Sequence, residues 1–224
     1  MRIPDELIRA ARLLLQLDEQ FVFVGGIVAP LYFQRPEFTL HARPTIDVDC
    51  VVNMLSYAAL QSLQNGMRRI GFSEGQEPGD PICRWRGHGL IVDVMSVGAD
   101  VLGFTNRWYA AGWDSCMTVE SDAGPIRILD YGHFLATKLE AHNNRSNDIR
   151  LSHDLEDVIL TLAARDSLDS DRQLFSNDVA EFLRQNFRNI FTGADHLDIF
   201  PAYLPAGMDA AEKRIRAFLG ALQS

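Results

Sequence analysis

Asp47 and Asp49 stand two residues apart in a β-branched stretch, residues 45–52, and Asp93 interrupts the apolar run Ile91-Val92-Asp93-Val94-Met95. A strand repeats every two residues, so Asp47 and Asp49 share one face while Ile46, Val48 and Cys50 take the other, the one suited to burial. An ionised carboxylate inside an apolar strand is costly unless it is paired or binds a metal. Three together repel one another unless a cation stands between them or one holds a proton. Magnesium takes oxygen ligands and keeps part of its shell for water and phosphate. Two aspartates on one strand facing a third on its neighbour therefore suit one or two such ions, which can clamp the attacking and leaving oxygens of a phosphoryl displacement. Alternatively, the same aspartates end strands or pair with Arg43, Arg84 or Arg86.

Other residues could serve the same chemistry. Gly25-Gly26 follows the apolar run 21–24 and precedes a helix start. Glycine lets backbone approach a phosphate, and a helix start offers free N–H groups; a tight turn needs glycine equally. Lys138 lies in a helical stretch from which it could reach a triphosphate, oriented by an ion pair to Asp154 or Asp157, or it could simply sit on a solvated face. Ser152 is a helix N-cap by type, with acids in the turn behind it. Trp108, Tyr109 and Trp113 could stack on a base or pack in a core. His133 or His142 with His153-Asp154 would suit a metal-dependent phosphohydrolase, which would leave the strand acids without a role.

Residues 4–17 read as an amphipathic helix, with Leu7, Ala10, Ala11, Leu14 and Leu17 on one face. Residues 21–24 read as a buried strand, 27–33 as a helix start and 35–44 as a polar loop. Strands follow at 45–52, 82–86 and 90–97, with a helix at 57–70 and a loop at 72–81 between the first two. A hairpin is expected around residues 122–124. From residue 131 onward the periodicity is helical, at 133–142, 152–164, 178–187 and 209–222, with residues 143–147 as a loop. The fold expected is α/β (α+β): a mixed sheet with flanking helices in residues 1–130, and a helical region, 131–224, packing on it.

The 224 residues and 47% hydrophobic content suffice for a core. A net charge of -9 argues against general coating of nucleic acid. The basic residues are almost all arginine, which suits bidentate contacts to phosphate or carboxylate. Cys50, Cys83 and Cys116 form no CxxC pair and read as reduced thiols. No signal core or membrane-length apolar run is present, and a cytoplasmic location is expected.

Taken in order, FVGG, RPTIDVD, IVDVMSV, LATKLEAHNNRS and SHDLEDVI resemble the polymerase-beta-type nucleotidyltransferase superfamily. Within it the chain is similar to the AbiE-type (AbiEii-like) nucleotidyltransferase toxin group, which GFTNRWY at 103–109 also resembles. The likeness spans about residues 20–162. It implies a magnesium-dependent enzyme moving a nucleoside monophosphate from a nucleoside triphosphate to an acceptor hydroxyl, with tRNA as acceptor and a cognate antitoxin as partner. By this resemblance Asp47, Asp49 and Asp93 are the catalytic, metal-binding acids. Gly25, Gly26, Lys138, Asp154 and Asp157 bind the nucleotide. Gly26 stands where the family often has serine, and His153 where it usually has lysine. A catalytically inactive binding module of the same fold, or an adenylyltransferase acting on a small molecule, would use the same framework.

Overall fold

The computed structural model describes residues 3–145, 148–193 and 196–223. It divides into two compact units, one comprising the chain up to Val28 with Pro44–Asp130, the other Ala29–Arg43 with the chain from Tyr131 onward.

The first unit is a seven-stranded mixed sheet with helices. Its strands are β1 (Val22–Val24), β2 (Asp47–Val52), β3 (Ser73–Glu74), β4 (Arg84–Gly87), β5 (Leu90–Ser96), β6 (Met117–Ser121) and β7 (Gly124–Ile128), in the order β3-β4-β5-β2-β1-β7-β6. β2 pairs parallel to β5 and antiparallel to β1; β4 pairs antiparallel to β5; and β1 pairs parallel to β7. The central strands are apolar where two faces are covered: Val22, Val48, Cys50 and Val92 have no exposed surface. Helix α1 (Asp5–Leu14) packs on β2 and β5 through Leu7, Ala10, Ala11 and Leu14, the stripe its 3.6-residue period predicts. Helix α2 (Tyr57–Arg69) begins at Ser56, whose hydroxyl accepts from the Ala59 N–H at 3.2 Å. A short helix, α3 (Tyr109–Asp114), precedes the β6–β7 hairpin.

The second unit is helical: α4 (Tyr131–Arg145), α5 (His153–Ala163), α6 (Leu168–Arg172), α7 (Asn177–Thr192), α8 (Ile199–Tyr203) and α9 (Asp209–Gln223). Ser152 caps α5, accepting from the Leu155 N–H at 3.3 Å, as its residue type predicts. Phe134, Leu135, Leu139, Phe187 and Phe200 form its core. Among the described residues no helix is long and apolar enough to cross a membrane.

Several expectations need correction. Residues 26–32 form a 3-10 helix with Pro30 inside it; proline lacks the N–H an α-helix would need there. Residues 36–41 of the expected loop form a second 3-10 turn. Ile46 is 76% exposed, because β2 begins only at Asp47 and the pleat does not extend back to it. Asn143, Asn144 and Arg145 continue α4 and are not loop; Ser146 and Asn147, expected in the same loop, lie outside the described residues. The short helices α3, α6 and α8 have too few turns to show a period.

Candidate metal centre

The three aspartates meet because of strand register. Val24 of β1 faces Asp49 of β2, Asp49 faces Asp93 of β5, and Asp93 faces Arg84 of β4, so one row crosses four strands. Directly opposed residues share a face. Asp47, two residues before Asp49, joins them on that face. Each aspartate offers an oxygen within 4.8 Å of the others. Among the described residues this is the one group of three or more His, Cys, Asp or Glu side chains so gathered. In an octahedral magnesium shell neighbouring ligand oxygens stand about 3 Å apart and opposed ones about 4.2 Å, so the carboxylates would draw closer around a bound ion.

Gly25 follows Val24 directly and fixes the approach to this row. Its φ of +77° is one that residues with a side chain rarely adopt. A Cβ there would lie 2.0 Å from Asp49 Oδ2 and 2.9 Å from Asp49 Cγ. Backbone and carboxylate are therefore in a contact that only glycine permits. The donor set, three carboxylate oxygens beside a bare glycine backbone, fits a hard divalent cation, which takes oxygen ligands. Gly26 is buried and opens the 3-10 helix.

Arg84 contacts the row. Its Nε donates to Asp93 Oδ1 at 2.9 Å and its Nη2 to Asp93 Oδ2 at 2.7 Å, a bidentate fork. Nη2 also lies 3.5 Å from Asp47 Oδ2. Asp93 is only 6% exposed, so this pairing offsets a large desolvation penalty. The hydrogen bond to Asp93 holds the guanidinium even further above its ordinary range. Of the pairings weighed for the strand acids, that with Arg84 forms. Arg86 instead grips Asp80, Nη2 to Oδ1 at 2.8 Å and Nε to Oδ2 at 3.2 Å, and reaches Glu77 at 3.0 Å. Arg43 lies 3.9 Å from Asp157. Asp80 is the participant that sequence reasoning missed. Its only signal is the alternation Arg84-Trp85-Arg86, which puts two guanidinium groups on one face with acids in the preceding loop.

The thiols behind the row feel the same field. Burial first, then Asp49 and Asp93, pushes Cys50 well up, and burial with Asp93 pushes Cys83 to about 12.

Lys138, Asp154 and Asp157 form a constellation within the helical unit. Lys138 Nζ donates to Asp154 Oδ1 at 3.1 Å and lies 2.6 Å from Asp157 Oδ2. Lys138, Asp154 and Asp157 are 7%, 4% and 3% exposed, so none is on a solvated helix face. Arg145 adds a contact to Asp154 at 2.5 Å. His142 meets Ser152 Oγ at 2.7 Å, and burial holds its ring below the ordinary histidine range. His153 faces Glu156, and no histidine joins a metal-binding group among the described residues.

The aromatic residues weighed for stacking have protein neighbours. The guanidinium of Arg107 lies 4.9 Å over Trp108, that of Arg127 lies 4.7 Å over Trp113, and the Tyr109 hydroxyl reaches Met95 Sδ at 3.5 Å.

Solved structures share this fold. An antigenic nucleotidyltransferase-like protein from Paracoccidioides brasiliensis aligns over 89% of this chain and 92% of its own, with a TM-score of 0.51 at 15% identity. The antibiotic-resistance factor ANT(2'')-Ia aligns over 85% and 92%, with a TM-score of 0.48 at 14% identity. JHP933 from Helicobacter pylori aligns over 97% and 89%, with a TM-score of 0.47 at 13% identity. At such identities the likeness is one of fold, here a nucleotidyltransferase-like one. No protein-family model matches the sequence, and no curated protein matches it.

Proposed function

We propose that this chain is a magnesium-dependent nucleotidyltransferase that moves a nucleoside monophosphate from a nucleoside triphosphate to an acceptor hydroxyl. The observation that carries the reading is the row itself: Asp49 and Asp93 in register, Asp47 on the same face, and Gly25 against Asp49 with no space for a side chain.

Asp47, Asp49 and Asp93 would hold the divalent ion. Bound there, it would neutralise the phosphate charge that grows in the transition state. The backbone at Gly25 and Gly26, bare of side chains, would approach the phosphate oxygens. In the transfer, an acceptor oxygen bonds to the α-phosphorus, the bond from that phosphorus to the bridging oxygen breaks, and pyrophosphate leaves. Asp93 keeps lone pairs on both oxygens beyond those that accept from Arg84, and these remain for the ion or for the acceptor's proton. Lys138 is proposed as a nucleotide-binding residue on the strength of the sequence resemblance, with Asp154 and Asp157 orienting its ammonium. The same resemblance makes tRNA the first acceptor to test, within a toxin-like role opposed by an antitoxin.

The test is incubation of the protein with each α-labelled nucleoside triphosphate, magnesium and a tRNA pool, with protein and small hydroxylated acceptors in parallel. Labelled product is expected with at least one nucleotide, lost on chelation and in Asp47→Asn. Labelling of a small molecule alone would move the acceptor away from tRNA. Absence of product from every combination would overturn the reading.

A further inference from the structure

Three carboxylates crowd the row, and the guanidinium of Arg84 contacts two of them, Asp93 and Asp47. Arg84 does not merely lie near Asp93. It takes both oxygens of Asp93, the most buried of the three acids, in the fork geometry; the same Nη2 lies 3.5 Å from Asp47, and Nη1 lies 3.5 Å from Asp80. It is half-buried itself, so little water intervenes to weaken the contact. A bidentate arginine occupies the side of the carboxylate on which a cation would otherwise approach.

Resting on the metal-centre reading above, we propose that Arg84 is a built-in competitor for the metal. Its guanidinium holds Asp93 and Asp47 in place of a second cation, limits the nucleotide-free site to one divalent ion, and sets how tightly that ion binds. Arg84 is thus a positioning residue for the metal ligands and not a catalytic residue.

A plain cross-strand ion pair that only staples β4 to β5 would explain the same distances, so the experiment must read metal binding. Manganese alone is titrated into the full-length protein and followed by calorimetry and by the loss of its free-ion spin signal, for wild type, Arg84→Met and Arg86→Met. Arg86 is a matched control: Arg86 faces Ile91 of β5, which in turn faces Asp47, and it carries the same charge, but its contacts go to Asp80 and Glu77. Removing either arginine changes the general field alike, whereas Arg84 holds Asp93 and Asp47 and Arg86 holds Asp80 and Glu77.

The result expected is one ion per wild-type chain, binding about tenfold or more tighter in Arg84→Met, and within about threefold of wild type in Arg86→Met. Circular dichroism checks the fold of each variant. If Arg84→Met fails to fold, Arg84→Lys carries the test. It keeps the charge but loses the fork, and binding about threefold tighter is expected. Unchanged or weaker manganese binding in the folded Arg84 variants overturns the inference while leaving the metal centre intact. Two equally tight ions in the wild type overturn it likewise. No binding by folded wild type or variant overturns both the inference and the metal reading.

Discussion

Two groups of charged residues in this molecule look alike in the sequence and differ in kind in the structure. On the sheet, Asp47, Asp49 and Asp93 gather on one face, with Arg84 against Asp93 and Asp47. In the helical unit, Asp154, Asp157 and Glu156 meet Lys138, Arg145 and Arg43. The second set pairs its charges around a buried trio, Lys138, Asp154 and Asp157, which is how a protein fixes one helix against another. The first gathers three acids beside a glycine backbone, an arrangement that a divalent cation bound as proposed above would favour. The difference teaches that an acidic residue is read by the balance of its neighbours, not by its burial.

Substitutions can break or sharpen this contrast. The largest effect is expected from Asp49→Asn, which should lower nucleotidyl transfer by about a thousandfold or more while leaving the melting temperature unchanged or slightly raised, since one of three repelling charges is gone. A fall in both would mean the row is a structural element like the other cluster. Lys138→Met should differ in kind, costing stability as well as nucleotide binding. It strands Asp154 and Asp157, 4% and 3% exposed, without their shared ammonium, and should remove about 3–5 kcal/mol in denaturant titration. A variant as stable as wild type would erase the contrast.

Gly25→Ala sharpens the sheet side. Its φ of +77° and the 2.0 Å approach to Asp49 Oδ2 predict a loss of about 1–2 kcal/mol and, by displacing the carboxylate, about a hundredfold in transfer. Activity untouched at that position would show that the close approach serves only the turn. The smallest effect belongs to Arg43→Ala: its contacts to Glu156 and Asp157 are both 3.9 Å, and a change below about 1 kcal/mol in chemical denaturation is expected. A larger loss would place Arg43 inside the balanced set and not at its edge.

Much of this was legible in the sequence because strand and helix periods are local. The two-residue alternation put Asp47 and Asp49 on one face, and the apolar frame around Asp93 marked it as an acid in need of a partner. The helical stripe of Leu7, Ala10, Ala11 and Leu14 was equally plain. What stayed hidden depended on register and on contacts distant in the chain. No spacing rule tells that Arg84 falls opposite Asp93, since that follows from how the Gly87–Leu90 turn closes β4 on β5. Nor does any rule tell that residues 29–43 join the helical unit, because their membership comes from packing such as Tyr32 against Tyr131 and Phe134. Lys138 read equally well as a solvated residue, and only the fold shows it buried between two acids.

The central claim is that the sheet row holds a divalent ion. Crystals grown with manganese and a non-hydrolysable nucleoside triphosphate, examined at the manganese absorption edge, test it most directly. The account predicts an anomalous peak bonded to carboxylate oxygens of Asp47, Asp49 and Asp93, at about 2.1 Å as for other hard divalent ions, with phosphate oxygens completing the shell beside Gly25. Nucleotide bound with no peak at the row, or a peak held by other residues, would contradict it.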